Sequence, residues 1–366
     1  MKRLIVAALA AFAPAWAMSQ ILVGQTAGFT GVSAAGVKEI TEGAKLWIDA
    51  VNAKGGVHGQ KIELLSLDDR FDPGLAAVNA KELIEEKNVL ALFLVRGTPH
   101  SEAILPLLEK NGVPLVAPST GAMVLHQPVK KYVFNVRAPY QREAEKAVTH
   151  LQALGITRIA VVYADDSYGL DGLEGASKGF YRAGFAPAVA IKADRVRPDY
   201  KAIVQSVQKA GAQAVVWIAS GTAIVEGIKT LRGALPGVQV VTLSNNASSG
   251  FIKGLGEAGT GVMVTQVFPS ERAMGYAMVR EAAALAKDRK IELSPSTLEG
   301  YAGAKVLVEG LRRAGPNPTR AKLQAALEGL HKFDLGGVEI GYAPDDHTGM
   351  EYSDLSIIGS DGKFRR

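Results

Sequence analysis

The chain has 366 residues, no cysteine, 41 basic against 36 acidic side chains and a formal charge of +5. Without cysteine there are no disulfides, thiolate metal sites or cysteine nucleophiles, and a chain of this length buries enough apolar surface to fold without them. No basic run exceeds Lys130-Lys131 or Arg312-Arg313, so the positive balance describes a mixed solvated surface with a mild pull on anionic ligands, not a nucleic-acid face.

Lys2 and Arg3 precede an apolar stretch, Leu4 to Ala15, that ends on the small-x-small pattern Ala15-Trp16-Ala17. This layout predicts a cleaved secretory signal over residues 1–19 and a periplasmic mature chain. The stretch is shorter than the roughly 20 apolar residues of a membrane span. No cysteine follows it to carry a lipid, and no later segment is long and apolar enough to span, so the mature chain is expected to be soluble. Its length points to about two domains.

Strand and helix patterns then alternate. Ile21–Gln25 reads as a strand, Glu39–Asn52 as an amphipathic helix ended by Gly55-Gly56, Lys61–Leu67 as a strand and Pro73–Glu86 as a helix. Val89–Val95 is almost wholly apolar, as a parallel strand buried on both faces must be. Ser101–Lys110 and Val113–Val116 complete a first βαβ series. A second series follows Arg137-Ala138-Pro139-Tyr140, with strands at Arg158–Tyr163, Ala186–Ile191, Ala214–Ile218, Val238–Leu243 and Val262–Val267 between helical stretches. The helices Ala273–Lys287, Thr297–Ala314 and Arg320–Leu327 have too few strands beside them for a third sheet and are expected to pack on the first lobe. Strands at Val338–Tyr342 and Tyr352–Ile358 end the pattern. The expected fold is α/β, with two doubly wound parallel-sheet lobes joined by three hinge crossovers near 137–139, 266–269 and 336–345, where Pro139, Pro269 and Pro344 lie. Lobe 1 then comprises 20–137 plus 268–336, and lobe 2 138–267 plus 337–366.

Catalytic constellations are missing from the sequence. The six histidines show no metal-ligand spacing and read as surface or loop residues, and there is no nucleophile elbow or phosphate loop. Gly254-Leu255-Gly256-Glu257-Ala258-Gly259 matches a dinucleotide fingerprint in letters, but it follows a short helix and precedes a strand. The motif needs the reverse order, so this stretch reads as a glycine-rich turn. The pairs Asp68-Asp69, Asp165-Asp166 and Asp345-Asp346 suit caps and turns. Neither catalysis, nor a cofactor, nor a metal is expected.

Ligands of open α/β sheets bind beyond the carboxyl ends of the strands. Three such loops carry suitable groups. In Gly97-Thr98-Pro99-His100-Ser101, Thr98 suits an N-cap and Pro99 the first helical position, which would leave free amides for an anion. Ala117-Pro118-Ser119-Thr120-Gly121-Ala122 offers two hydroxyls and a flexible glycine. Asp165-Asp166-Ser167-Tyr168-Gly169 offers a tyrosine able to cover an apolar group. Each also has a plain structural reading as a cap, a turn or a packed side chain.

Val51-Asn52-Ala53-Lys54-Gly55-Gly56-Val57-His58-Gly59, Asp68-Asp69, Asn111-Gly112-Val113-Pro114-Leu115-Val116-Ala117-Pro118-Ser119 and Arg158-Ile159-Ala160-Val161-Val162-Tyr163 followed by Tyr168-Gly169 together resemble the type I periplasmic binding proteins of ABC importers, in the branched-chain amino-acid branch. The resemblance implies a monomer that closes on a small ligand and docks on an inner-membrane ABC permease. It implies that Thr98 holds the ligand carboxylate, that Ser119, Thr120 and Gly121 hold carboxylate and amine, and that Tyr168 covers the ligand. Asn245, Thr222 and Phe29 join the expected cleft wall.

Two departures matter. The family's threonine in the second loop falls at Gly121, with Thr120 one place earlier. Amino-acid binders also carry an acid, paired with the ligand ammonium, in the loop matching Leu243-Ser244-Asn245-Asn246-Ala247, and here that stretch has none. Either Asp165 or Asp166 replaces it, or the ligand lacks an α-amine, so a branched-chain amino acid and an organic or aromatic carboxylate both stay open. A sensory module passing ligand occupancy to a membrane kinase or chemoreceptor is the alternative role.

Overall fold

The alternation resolves into two parallel sheets in a computed structural model that describes residues 20–365; the expected signal, residues 1–19, lies outside the described residues. The first sheet is built from β1 (Ile21–Ala27), α1 (Ala34–Ala53), β2 (Ile62–Asp68), α2 (Pro73–Lys81), β3 (Ala91–Phe93), α3 (Thr98–Asn111), β4 (Leu115–Val116) and β5 (Val133–Phe134). Its strands are all parallel, in the order β2-β1-β3-β4-β5. The second is built from α4 (Tyr140–Ala153), β6 (Ile159–Ala164), α5 (Ser167–Ala183), β7 (Val189–Ala193), α6 (Tyr200–Lys209), β8 (Ala214–Ile218), α7 (Gly221–Ala234), β9 (Gln239–Thr242), α8 (Ser249–Leu255) and β10 (Met263–Gln266). Its order, β7-β6-β8-β9-β10, repeats that of the first.

Both sheets are buried on both faces. In the first, Val23, Phe93 and Val116 face α1, whereas Leu92, Leu115 and Val133 face α2 and α3. This period of two inside an apolar run follows from the alternation of side chains along a strand. After β10 the chain returns to the first lobe: α9 (Ala277–Asp288), α10 (Pro295–Ala314) and α11 (Arg320–Glu328) add Met278, Tyr301, Leu307 and Leu323 to the α1 side of that core. A capping box starts α10, with Ser294 Oγ accepting from the Thr297 amide at 3.1 Å and Thr297 Oγ1 from the Ser294 amide at 3.3 Å.

The last third departs from expectation. Strands β11 (Phe333–Asp334), β12 (Glu339–Ala343) and β13 (Asp346–Gly349) form a small antiparallel sheet on the first lobe. Ile340, Tyr342 and Met350 join the core around Phe134. The Tyr342 hydroxyl donates to the Asn135 carbonyl at 2.7 Å, and the Asn135 amide to the His347 carbonyl at 3.0 Å. The lobe boundary expected at 337, with a crossing at 336–345, is therefore corrected: residues 337–350 stay with the first lobe and the third crossing follows Met350. Pro344, which suggested a crossing, sits in the β12–β13 turn. Only β14 (Asp354–Ile358) and β15 (Phe364–Arg365) reach the second sheet, both antiparallel additions at the β10 edge.

Ile340 tests this assignment. Ile340→Ala removes a fully buried side chain and is expected to cost about 2–5 kcal/mol. Hydrogen-exchange protection should fall in β1 to β5; loss confined to β6 to β10 would place the hairpin with the other lobe.

Candidate functional site

The carboxyl ends of β3 and β4 face those of β6, β8 and β9 across a cleft, and the lobes touch around it. The Thr222 amide donates to the Val32 carbonyl at 3.2 Å. The Ser249 and Gly250 amides, at the start of α8, donate to the Glu39 carboxylate at 2.9 and 2.8 Å. Arg195 of the second lobe lies over the Phe71 ring of the first, at 4.3 Å from its centroid.

The loop after β3 enters the cleft through Leu94, which is left-handed at φ 52. It turns at Gly97, whose φ of 104 belongs to glycine and whose added Cβ would lie 2.6 Å from His100 Nδ1. Gly97, not Thr98, is the N-cap of α3; Thr98 and Pro99 are the first two helical residues. The Ser101 amide closes the first turn on the Gly97 carbonyl at 3.0 Å, so the Thr98 and His100 amides have no intrahelical acceptor. The Thr98 hydroxyl meets that of Thr120 at 2.7 Å.

Arg96, just before that turn, organises the cleft. It is 6% exposed. Its Nη1 donates to Ser119 Oγ at 2.9 Å and its Nη2 to the Asn245 carbonyl, in the opposite lobe, at 2.8 Å. Among the described residues it makes no ion pair. The bond between Arg96 and Asn245 divides the cleft into two chambers, for both residues line each of them. The inner chamber, a cavity of about 20 Å³, is walled by Thr98, Pro99, Ser119, Tyr140, Tyr168 and Phe71. The outer, about 240 Å³, is walled by Ser33, Thr222, Val225, Phe251 and Gly250.

The expected residues distribute unevenly. Thr98, Pro99, Ser119, Tyr168 and Asn245 line the inner chamber, and Thr222 and Asn245 the outer. Tyr168 donates to Asn245 Oδ1 at 2.8 Å, and Asn245 Nδ2 donates to Ser220 Oγ at 2.8 Å. Thr120 lies beneath Thr98. Gly121 backs onto the crossing segment, its carbonyl accepting from the Tyr140 amide at 2.7 Å. Phe29 lines neither chamber. Both candidate substitute acids are engaged: Asp165 with Lys192 at 3.2 Å, and Asp166 with Arg195 at 3.3 Å while it caps the Gly169 amide at 2.8 Å. Arg96 and Arg195 escaped the sequence reading. Arg96 had a signal, a charge set directly on the end of a fully apolar strand; Arg195 sits in an undistinguished loop.

At the first crossing Arg137 is 1% exposed. It donates from Nη2 to Glu143 at 2.6 Å and to Ser244, and from Nη1 to Glu299 at 3.4 Å. Burial alone would depress its pKa; Glu299 and Glu143 more than reverse that, so it is raised. Three histidines read as surface residues, His100, His126 and His347, are buried instead, because the helices and hairpin that cover them come from distant segments. Among the described residues no cluster could hold a metal, and no helix is long and apolar enough to cross a membrane.

A profile of the family described as periplasmic binding protein matches residues 20–363. The Leu/Ile/Val-binding protein homolog 3 of Brucella melitensis is 26% identical over 88% of this chain and 86% of its own. Among solved structures, a substrate-binding periplasmic protein from Ralstonia solanacearum superposes with a TM-score of 0.88 at 28% identity, covering 94% of this chain and 99% of that one. A possible leucine/isoleucine/valine-binding protein from Rhodopirellula baltica gives 0.89 at 25%, covering 95% and 97%.

Beneath the Gly97 turn, burial raises the Asp69 carboxyl from 3.8 to about 6 and lowers the His100 imidazole from 6.5 to about 4. Asp69 thus contributes stability that is complete below pH 3.8 and lost as pH rises through about 6. His100 contributes stability complete above pH 6.5 and lost as pH falls through about 4. The two oppose each other between these limits. Asp69→Asn should therefore make the melting temperature rise more steeply with pH across this window than in the wild type; parallel curves would contradict the Asp69 shift.

Proposed function

The chain belongs to the periplasmic binding protein family, in its Leu/Ile/Val-binding branch, and on that premise we propose that it captures a small carboxylate in the interlobe cleft, by closure and without chemical change, and delivers it to an ABC permease of the inner membrane. One observation carries the ligand class. Arg96 is buried between the lobes, and its partners among the described residues, Ser119 and the Asn245 carbonyl, are neutral. Enclosing a guanidinium without a counter-charge costs several kcal/mol. With the lobes apart water solvates it, and with them together a ligand carboxylate supplies the missing charge, so ligand and closure favour each other. First-turn amides at α3 add donors beside it.

Refolding the denatured protein removes carried ligand, after which amino acids and other carboxylates can be screened by thermal shift. A true ligand at 100 times its Kd stabilises by about 2.7 kcal/mol, a rise of several degrees. Arg96→Met should abolish that rise while leaving the ligand-free melt nearly unchanged. If no carboxylate shifts the melt, the proposal fails.

Closure has its own test. Gly221 has φ +66, and a Cβ there would lie 2.1 Å from the Val32 carbonyl oxygen of the opposite lobe. Gly221→Ala should raise the Kd at least about tenfold, the equivalent of 1.4 kcal/mol, with scattering curves that stay open in saturating ligand. Unchanged affinity would mean that binding does not need this approach of the lobes.

A further inference from the structure

The outer chamber contains polar groups that the fold itself leaves unused. Ser33, 3% exposed, is the N-cap of α1, yet its hydroxyl has no hydrogen-bond partner. An N-cap serine ordinarily accepts from an amide two or three residues on. The Arg96 guanidinium lies beside the same helix start: a Cβ on Gly36 would sit 3.4 Å from Arg96 Nη2. The Val37 amide closes the first turn on the Ser33 carbonyl at 3.1 Å, so the Ala35 and Gly36 amides have no intrahelical acceptor. A free hydroxyl, two amides at the positive end of a 20-residue helix and a buried cation thus converge on one corner. Val225 and Phe251 form an apolar wall of the same chamber.

We propose that this corner binds the carboxylate of an amine-free monocarboxylic acid, whose apolar body lies along Val225 and Phe251. The inference rests on the reading of the protein as a carboxylate receptor and specifies its site and ligand class. Charge balance sets the class. Asp166 is matched by Arg195 at 3.3 Å and Glu226 by Lys229 at 3.3 Å. Glu39 is occupied by the α8 amides and Glu299 by Arg137. Arg96, whose partners are Ser119 and the Asn245 carbonyl, is the cation of this corner with no carboxylate at ion-pair distance among the described residues, and a monoanion placed there answers it. An α-amino acid carries no net charge and brings an ammonium, whereas the carboxylates near this corner among the described residues already have partners; Asn245 and Asn246 line the chamber instead. Burying that ammonium near Arg96 is doubly unfavourable.

The test is isothermal titration of the refolded protein with matched pairs: 3-methylbutanoate and valine, 4-methylpentanoate and leucine, 3-phenylpropanoate and phenylalanine. An amine-free member should bind at least about tenfold more tightly than its amino counterpart. Ser33→Ala should weaken that binding about tenfold, as loss of a hydrogen bond to a charged group does. Thr222→Trp, at an exposed position on the chamber wall, should abolish it without touching either core. The inference is overturned if the amino acid of each pair binds as tightly as its partner, or if both variants keep wild-type affinity while the acids still bind; in either case the carboxylate-receptor reading survives. If acids and amino acids alike fail to bind, that reading falls, and this one with it.

Discussion

A guanidinium enclosed between two bodies must have its charge answered, and the cleft of this protein is arranged around one that the protein does not answer. Arg96 reaches from the end of β3 across to the Asn245 carbonyl, and the five-strand and seven-strand sheets hold it there. It lines the chambers on either side. The hydroxyls, helix starts and tyrosines of the cleft surround this one residue, and the shape of the ligand space follows from its position as a partition.

Arg137 shows the opposite arrangement. It is equally buried, but two carboxylates and a serine hydroxyl take its donors, and Glu143 is in turn bound by the Ser244 amide at 2.9 Å and by the Thr265 hydroxyl. These partners come from both lobes and meet at the first crossing. Carboxylates on both Nη groups fix the geometry of Arg137, although its Nε has no partner, so Arg137 holds the hinge region while Arg96, a similar side chain in the same cleft, has only neutral partners. The residues around each, not the residue type, separate the cation that carboxylates answer from the one they do not.

The repeated strand order explains why the loops after β3, β4 and β6 converge. Each lobe turns the carboxyl ends of its strands toward the other, so first-turn amides of long helices line both walls. Left-handed Leu94 and the Gly97 turn then bend the β3 loop inward. Asp69 and His100 lie packed beneath that turn, and their opposed responses to pH arise from the same burial.

Much of this was legible in the residues. Fully apolar runs such as Ala214–Ile218 and periodic helices such as Pro295–Ala314 specify their state locally, and their alternation specifies two α/β halves; the loops after β3, β4 and β6 follow as loops that face the cleft. The two-residue strands β5, β11 and β15 carry no period and were not legible, and Pro344 pointed to a crossing that is a hairpin turn. The cleft itself was decided by tertiary structure. Arg96 and Asn245 are 149 positions apart, Asp166 is paired with Arg195, Gly121 and Phe29 line neither chamber, and the Ser33 hydroxyl is buried without a partner among the described residues. Local sequence sets backbone state through periodicity and turn chemistry, but which charges are answered and which are left over depends on what distant segments bring to face them.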